Sequence, residues 1–360
     1  VTANIRILVV GPAPPGPASR GGMATVIGHM ADHPDPSIEV RLLTTYVDGS
    51  RADKLRAGIA GMVRGTLAVL HGDADVLHVH LSHGGSVVRK APMLWAARLR
   101  GVPAVVHGHS YDFGGWMARL PAPARVLVRA ALPADRWLVL GTGLAAEYAD
   151  ALRLDAARVE VLHNPVPAAA LAPPAPRGTD GARIEAVALG RLGTRKGSYD
   201  LVAAIAALPS AARDRVHLTL AGDGEVDEVR AAAAPLGAAI TVRDWVDPSE
   251  RDALLAAADV FVLPSHDEGL PMALLEAMAA GLVPLTTPVG GIPEAITDDV
   301  DGVLVPPGDV PALAAALTRL VEDPALRRRL SEGARARAAG FDIADWHARL
   351  SALWTSLARR

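Results

Sequence analysis

Two series of alternating strand-like and helix-like segments, parted by a stretch with neither periodicity, constrain this chain more than any single motif. The parting stretch, PVPAAALAPPAPRGTDGA at residues 165–182, is rich in Pro and Gly and reads as a linker. Before it, apolar runs near Ile5, Val76, Ala104 and Trp137 alternate with helical patterns; after it the alternation restarts at Ile184 and continues through Val303 to Pro306. Such alternation predicts an α/β chain with parallel sheets. The 360 residues favour more than one domain, because a single core rarely grows beyond about 250–300 residues.

Composition excludes several classes. Half the residues are hydrophobic and 21% are charged, which suits packed cores rather than disorder. There is no cysteine, so neither disulfides nor a thiolate metal site is expected, in keeping with a reducing compartment. No apolar run approaches the ~18 residues that cross a bilayer. The opening NIRILVVGPAP has too short an apolar run for a secretory signal and reads as a first buried strand, which points to the cytoplasm. Residues 1–136 carry 15 Lys and Arg against 9 Asp and Glu, so a basic front half precedes an acidic remainder. That asymmetry suits peripheral contact with a lipid phosphate or anionic membrane face; no nucleic-acid partner is expected.

The chemistry concentrates in residues 265–294, SHDEGLPMALLEAMAAGLVPLTTPVGGIPE. Pro271 suits a first helical turn and Gly281 a left-handed end, so residues 270–280 read as one short helix with free N–H groups facing Gly269. Glu268 precedes this positive end, and Glu276 lies about one and a half turns inside it. Between the two carboxylates, the backbone donors fit a diphosphate with hydroxyl-bearing rings on either side.

The E-x7-E spacing, the EGLPMALLEAMA core and the TPVGGIPE that follows resemble the donor site of glycosyltransferase family 4. Its members are retaining, sugar-nucleotide-dependent enzymes of the GT-B type. The resemblance implies two Rossmann-like lobes with parallel sheets facing a central cleft: an acceptor lobe at residues 1–165, a linker at 166–183 and a donor lobe at 184–340. A helix at 341–360, with Trp346 and Trp354, is expected to pack back on the first lobe. It also implies that Glu276 accepts from the nucleotide ribose and Glu268 from hydroxyls of the transferred sugar, with Gly269, Leu270, Pro271 and Met272 lining the site. Pro271, without an N–H, only shapes the turn.

Lysine is rare here: Lys54, Lys90 and Lys196 are the only three among 36 basic residues, so a surviving lysine, Lys196 above all, is read as marking a place that needs a compact ammonium rather than a planar fork. Lys196 ends the loop Gly190-Arg191-Leu192-Gly193-Thr194-Arg195-Lys196 after the apolar run IEAVALG. The resemblance places Arg191 and Lys196 on the leaving diphosphate, where fixed cations stabilise developing charge. VRDWVD resembles the segment flanking the nucleotide base, which brings in Trp245 and Val246.

Other glycine patterns fail. Gly11 to Gly16 has the phosphate-loop spacing but is followed by Pro17 and Ala18 instead of Lys and Ser or Thr, and Gly222-Asp223-Gly224 has Asp227 where the dinucleotide fingerprint needs glycine. In the front half, Gly21 and Gly22 open a helix with free amides and correspond to the Gly-Gly beside the family's donor and acceptor. His78 and His80, and His107 and His109, form two His-x-His pairs, each on one face of its strand; lacking supporting Asp, Glu or Cys spacing, they are not read as a metal site. His109 is the expected residue beside the transferred sugar, although Ser110 stands where many relatives have glycine. GSVVRK at residues 85–90, GGMATV and DGS resemble a subgroup associated with surface polysaccharide assembly, and Arg89 and Lys90 are candidates for an acceptor phosphate.

The expected reaction moves a sugar, with retention, from a nucleotide-diphosphate sugar to an alcohol acceptor, such as a lipid-linked or polysaccharide-precursor glycan. No other cofactor and no essential metal are expected, because Arg191, Lys196 and the helix end already supply positive potential. A hydrolysing sugar-nucleotide epimerase and a non-catalytic sugar-nucleotide binder are the alternatives.

Overall fold

A computed structural model describes residues 4–16, 18–167 and 183–359. Most of the expected linker, residues 168–182, lies outside the described residues. The chain divides into two compact units, Val1–Asn164 with Ala344–Arg360, and Pro165–Ile343.

The first unit holds a six-stranded parallel sheet built from β1 (Ile5–Pro12), β2 (Ile38–Tyr46), β3 (Val76–Leu81), β4 (Ala104–Gly108), β5 (Arg136–Val139) and β6 (Val159–Val161), in the order β2-β1-β3-β4-β5-β6. β3 and β4 are buried along their whole length, as parallel strands covered on both faces must be. β2 was not anticipated from the sequence. It is an edge strand whose IEVRLLTTY mixes charge into an apolar run, so its pattern is weak. The final helix Ile343–Ala358 belongs largely to this unit: Trp354 Nε1 donates to His78 Nδ1 at 3.0 Å, and His347 Nε2 lies 2.8 Å from the His29 carbonyl.

The second unit has its own six-stranded parallel sheet, β7 (Ile184–Leu189), β8 (Val216–Ala221), β9 (Ile240–Arg243), β10 (Val260–Leu263), β11 (Val283–Thr286) and β12 (Val303–Leu304), in the order β12-β11-β10-β7-β8-β9. Its core joins Ile184, Leu201, Leu218, Val262, Leu285 and Leu317, among others. Strand order reverses direction between β7 and β10 here, and between β1 and β3 in the first unit. In open α/β sheets such switch points leave a crevice at the carboxyl ends of the strands, where ligands bind. Among the described residues no helix is long and apolar enough to cross a membrane.

Candidate active site

In the second unit the loops after β7, β8, β10 and β11 close on one another at the carboxyl edge of the sheet. A Cβ on Gly222, after β8, would stand 1.6 Å from the Gly190 carbonyl after β7. Gly290, after β11, has φ +57°, and a Cβ there would stand 1.9 Å from the Glu268 carbonyl oxygen; the neighbouring Gly291 N–H donates to Gly269 O at 2.6 Å. The glycines in GDG and TPVGG are therefore the residues that let these loops seat against each other, which explains why the motifs occur together.

Glu268 is the hub of this edge. It is 7% exposed and accepts from Ser265 Oγ at 2.8 Å and from Lys196 Nζ, while Arg195 Nη1 stands 4.0 Å from its other oxygen. Arg195 also donates to the Asp267 carbonyl at 2.9 Å. Lys196 ends the single 3-10 turn Thr194–Lys196, which the left-handed Gly197 terminates and which aims the ammonium at the loop after β10. Arg191 lies apart from Glu268: its guanidinium donates to both carboxylate oxygens of Asp223, at 3.2 and 2.8 Å, and its side chain is largely exposed. The RLGTRK loop and the segment opening after Gly269 thus share the β7/β10 switch point, with two cations, Lys196 and Arg195, around one buried carboxylate.

The helix after Glu268 runs Met272–Ala279, shorter than the expected 270–280. Pro271 is its N-cap, at ψ 126°, because the residue before a proline is biased out of the α region and Leu270 therefore stays outside the helix. Gly281, at φ +76°, ends it in the left-handed conformation expected of it. Leu270 and Met272 are buried. Glu276, 8% exposed, faces Arg251 Nη1 at 3.3 Å. Burial pushes its carboxyl up from the ordinary range, and Arg251 partly offsets this. Arg251 escaped sequence reasoning. It sits on the helix Pro248–Ala257, whose N-cap Asp247 accepts from Glu250 N at 2.8 Å while Glu250 reaches back to Asp247 N at 3.2 Å. The D-P-x-E signature was the readable signal for that helix. Trp245, 40% exposed, and the buried Val246 lie between β9 and this cap, and the Arg243 carbonyl at the end of β9 accepts from Gly222 N at 3.3 Å.

In the first unit, Gly21 has φ +104° and caps the helix Gly22–Ala31 without a side-chain bond. Asp48 holds this loop, accepting from Arg20 N at 2.8 Å and donating its own N–H to Ala18 O at 2.7 Å, so the DGS segment is tied to the loop that leads into GGMATV. His109 follows β4, and its Nε2 lies 2.8 Å from His80 Nδ1; burial pushes it down to about 3, so it is a neutral hydrogen-bonding ring at pH 7. Ser110 is structural: its hydroxyl meets His83 Nδ1 at 2.7 Å and its N–H donates to the Tyr148 hydroxyl at 3.1 Å.

The two His-x-His pairs, separate in sequence, are joined by the register of β3 on β4, which sets His80 beside His107. His78, His80 and His107 are fully buried with ligand atoms within 4.8 Å of one another, a spacing that could hold a metal ion after rearrangement. Two of the three already have ring partners, Trp354 on His78 and His109 on His80, with Met30 Sδ 3.3 Å from His80 Nε2. Gly21, Gly22 and His109 lie in the first unit, and Arg191, Lys196, Trp245, Val246, Glu268, Gly269, Leu270, Pro271, Met272 and Glu276 in the second.

Residues 175–337 match the family model described as glycosyl transferases group 1. A glycogen synthase of Mycobacterium tuberculosis is 32% identical over 279 residues, covering 73% of this chain and 64% of that protein, so the chain spans less than two thirds of that relative's length. A D-inositol 3-phosphate glycosyltransferase of Salinispora arenicola is 30% identical over 340 residues, covering 83% of this chain and 72% of that protein. In fold, the chain is similar to Anabaena Alr3699/HepE, solved in complex with UDP-glucose, with a TM-score of 0.77 at 16% identity over 98% of this chain and 100% of that one. The chain belongs to the glycosyl transferases group 1 family, whose two α/β lobes make the GT-B fold.

Proposed function

We propose that the protein transfers a glycosyl group from a nucleoside-diphosphate sugar to an alcohol acceptor with retention of anomeric configuration. The observation that carries this reading is the meeting of Lys196 and Glu268 at the β7/β10 switch point, beside the amide end of the helix Met272–Ala279. In this reading the diphosphate takes Lys196 and Arg191, the ribose takes Glu276, and the sugar hydroxyls take Glu268. Asp223 and Arg251 are positioning residues, the first for Arg191 and the second for Glu276. The base lies along Trp245 and Val246. His109 and the Gly21-Gly22 amides serve the reacting sugar and acceptor from the first unit.

No protein nucleophile is assigned. The leaving phosphate assists a same-face displacement and takes the acceptor proton, while the cations absorb the charge that develops as the glycosidic bond breaks. The reaction is read as metal-independent, so chelator-treated enzyme should keep its rate. The named activities of the Salinispora and Mycobacterium relatives and the UDP-glucose held by the Anabaena protein support a nucleotide sugar as donor. A lipid-linked or polysaccharide-precursor glycan as acceptor, at the cytoplasmic face of a membrane, completes the proposal.

The test is incubation with a panel of sugar nucleotides, with and without membrane lipid extract. A glycosylated product that needs the acceptor and keeps the donor's anomeric configuration is expected. Nucleotide release at the same rate without acceptor would replace this reading with a hydrolysing epimerase, and binding without turnover would replace it with a sensor.

A further inference from the structure

Lys90 carries a chemical demand that the donor-site reading leaves unmet. The helix Gly85–Arg100 follows β3 directly, at the β1/β3 switch point of the first unit, and Lys90 lies on its buried face with Val87, Met93, Leu94 and Ala97. It is 2% exposed. Its Nζ donates to Thr45 Oγ1 at 2.8 Å, and the Thr45 hydroxyl in turn donates to Gly11 O at 3.1 Å, so the ammonium sits where β1 and β2 end. An ammonium has three N–H donors, and a single neutral hydroxyl answers one of them.

Among the described residues no carboxylate pairs with Lys90. The charged group acting on it is Arg89 on the same helix, and Lys90 in turn acts on His80 at the end of β3; the Tyr46 ring at the end of β2 faces Arg89 and also Lys54 of the helix Arg51–His71. Arg89 deepens the imbalance. Its Nε is buried without a partner and its guanidinium lies 5.9 Å from the Tyr46 ring centre. Its Nη1 would stand 3.3 Å from a Cβ placed on Gly85, so the fork folds back over the first turn of the helix. Two adjacent cations, one buried, with unanswered donors at a switch-point edge, form the electrostatic complement of a tetrahedral oxyanion.

We propose that Lys90 and Arg89 form a phosphate-binding site in the first unit, one that takes the phosphate of an anionic acceptor. The word acceptor rests on the glycosyl-transfer reading; the oxyanion site does not. Burial and the neighbouring guanidinium push the Lys90 ammonium down to about 7, so a bound oxyanion must also draw a proton onto it near pH 8.

With three lysines in the chain, the protein labelled with 13C at lysine Cε gives one resonance each for Lys54, Lys90 and Lys196, assigned by the Lys90→Met and Lys196→Ala variants. The Lys90 signal is titrated from pH 5.5 to 9.5 in buffer alone, in sulfate, whose charge is constant over that range, in phosphatidylglycerol vesicles and in phosphatidylcholine vesicles. An upward move of the Lys90 midpoint by about one unit or more is expected, a tenfold preference of the anion for the charged amine. The move should shrink in Arg89→Gln. A shift in sulfate alone assigns a soluble phosphate, and a shift in phosphatidylglycerol alone assigns a lipid phosphate. A midpoint unmoved by both overturns the site, as does an equal shift in Arg89→Gln.

UDP titrated into the same sample reads the donor site through Lys196. A silent Lys196 beside a responsive Lys90 removes the donor assignment alone, and the reverse removes the site proposed here.

Discussion

Acidification should unfold the first unit well before ordinary carboxylate titration would. His78, His80 and His107 are fully buried and stacked with ring centres 5.1 to 5.6 Å apart. Burial pushes His78 down to about 3 and the other two well below the ordinary range. Charging His78 would place a proton on the nitrogen that accepts from Trp354, and His107 has no partner among the described residues for either nitrogen. Between the folded and unfolded values the unfolded chain holds more protons, so stability falls as pH drops from about 6.5 toward 3. At about 1.4 kcal/mol per pH unit for each ring, His78 and His109, both held near 3, give a slope near 3 kcal/mol per unit around pH 5 and a cumulative loss of about 4 kcal/mol between pH 7 and pH 5, and the buried His80 and His107 act in the same direction. That approaches the whole stability of a typical domain. Five of the six tryptophans, Trp95, Trp116, Trp137, Trp346 and Trp354, lie in the first unit, so tryptophan emission reports it. An acid midpoint between about pH 4 and 5.5 is expected, and His107→Leu should move it lower by removing one proton from the difference. A first unit still native at pH 3.5, or a midpoint that His107→Leu leaves in place, would refute the argument.

Four further outcomes follow from other parts of the chain. Lys90→Met should stabilise the first unit by up to about 5 kcal/mol below pH 7, since the buried amine is held near 7 against an ordinary value near 10.5, and denaturant titrations should find the gain shrinking as pH rises through that window. Lys196→Ala should lower kcat by about 10²-fold or more with a smaller change in KM, measured with saturating acceptor. Glu276→Ala should raise the donor Kd about tenfold or more in calorimetry while leaving Arg251 paired with Asp252 alone; an unaltered Kd would remove Glu276 from the ribose. Gly290→Ala meets both a left-handed φ and a Cβ position 1.9 Å from the Glu268 carbonyl, so the loop must shift, and a loss of a few kcal/mol in second-unit stability together with lost nucleotide binding is expected.

The donor edge was readable because its constraints are local. Pro271 and Gly281 each answer a backbone demand at their own position, and Glu268 sits three residues after the Ser265 that bonds it. Features set by register or by a neighbouring helix were harder to see. Nothing near Glu276 in sequence announces Arg251, which is 25 residues away. The histidine stack exists only because β3 and β4 pair with His80 opposite His107, a fact about two strands that neither His-x-His pair contains. Lys90 is the instructive case between these extremes. It lies three residues after Val87, three before Met93 and seven before Ala97, on the face that the helix buries. The helical spacing therefore contained its burial, while the pairing of Arg and Lys at a helix start suggested a solvated face. A cation placed on an apolar helical stripe with no acid in reach is a local inconsistency, and such inconsistencies concentrate where a chain binds something. By that logic the proposed anion site has its signal in the helical spacing around Lys90, and the strand order adds its place at a switch point.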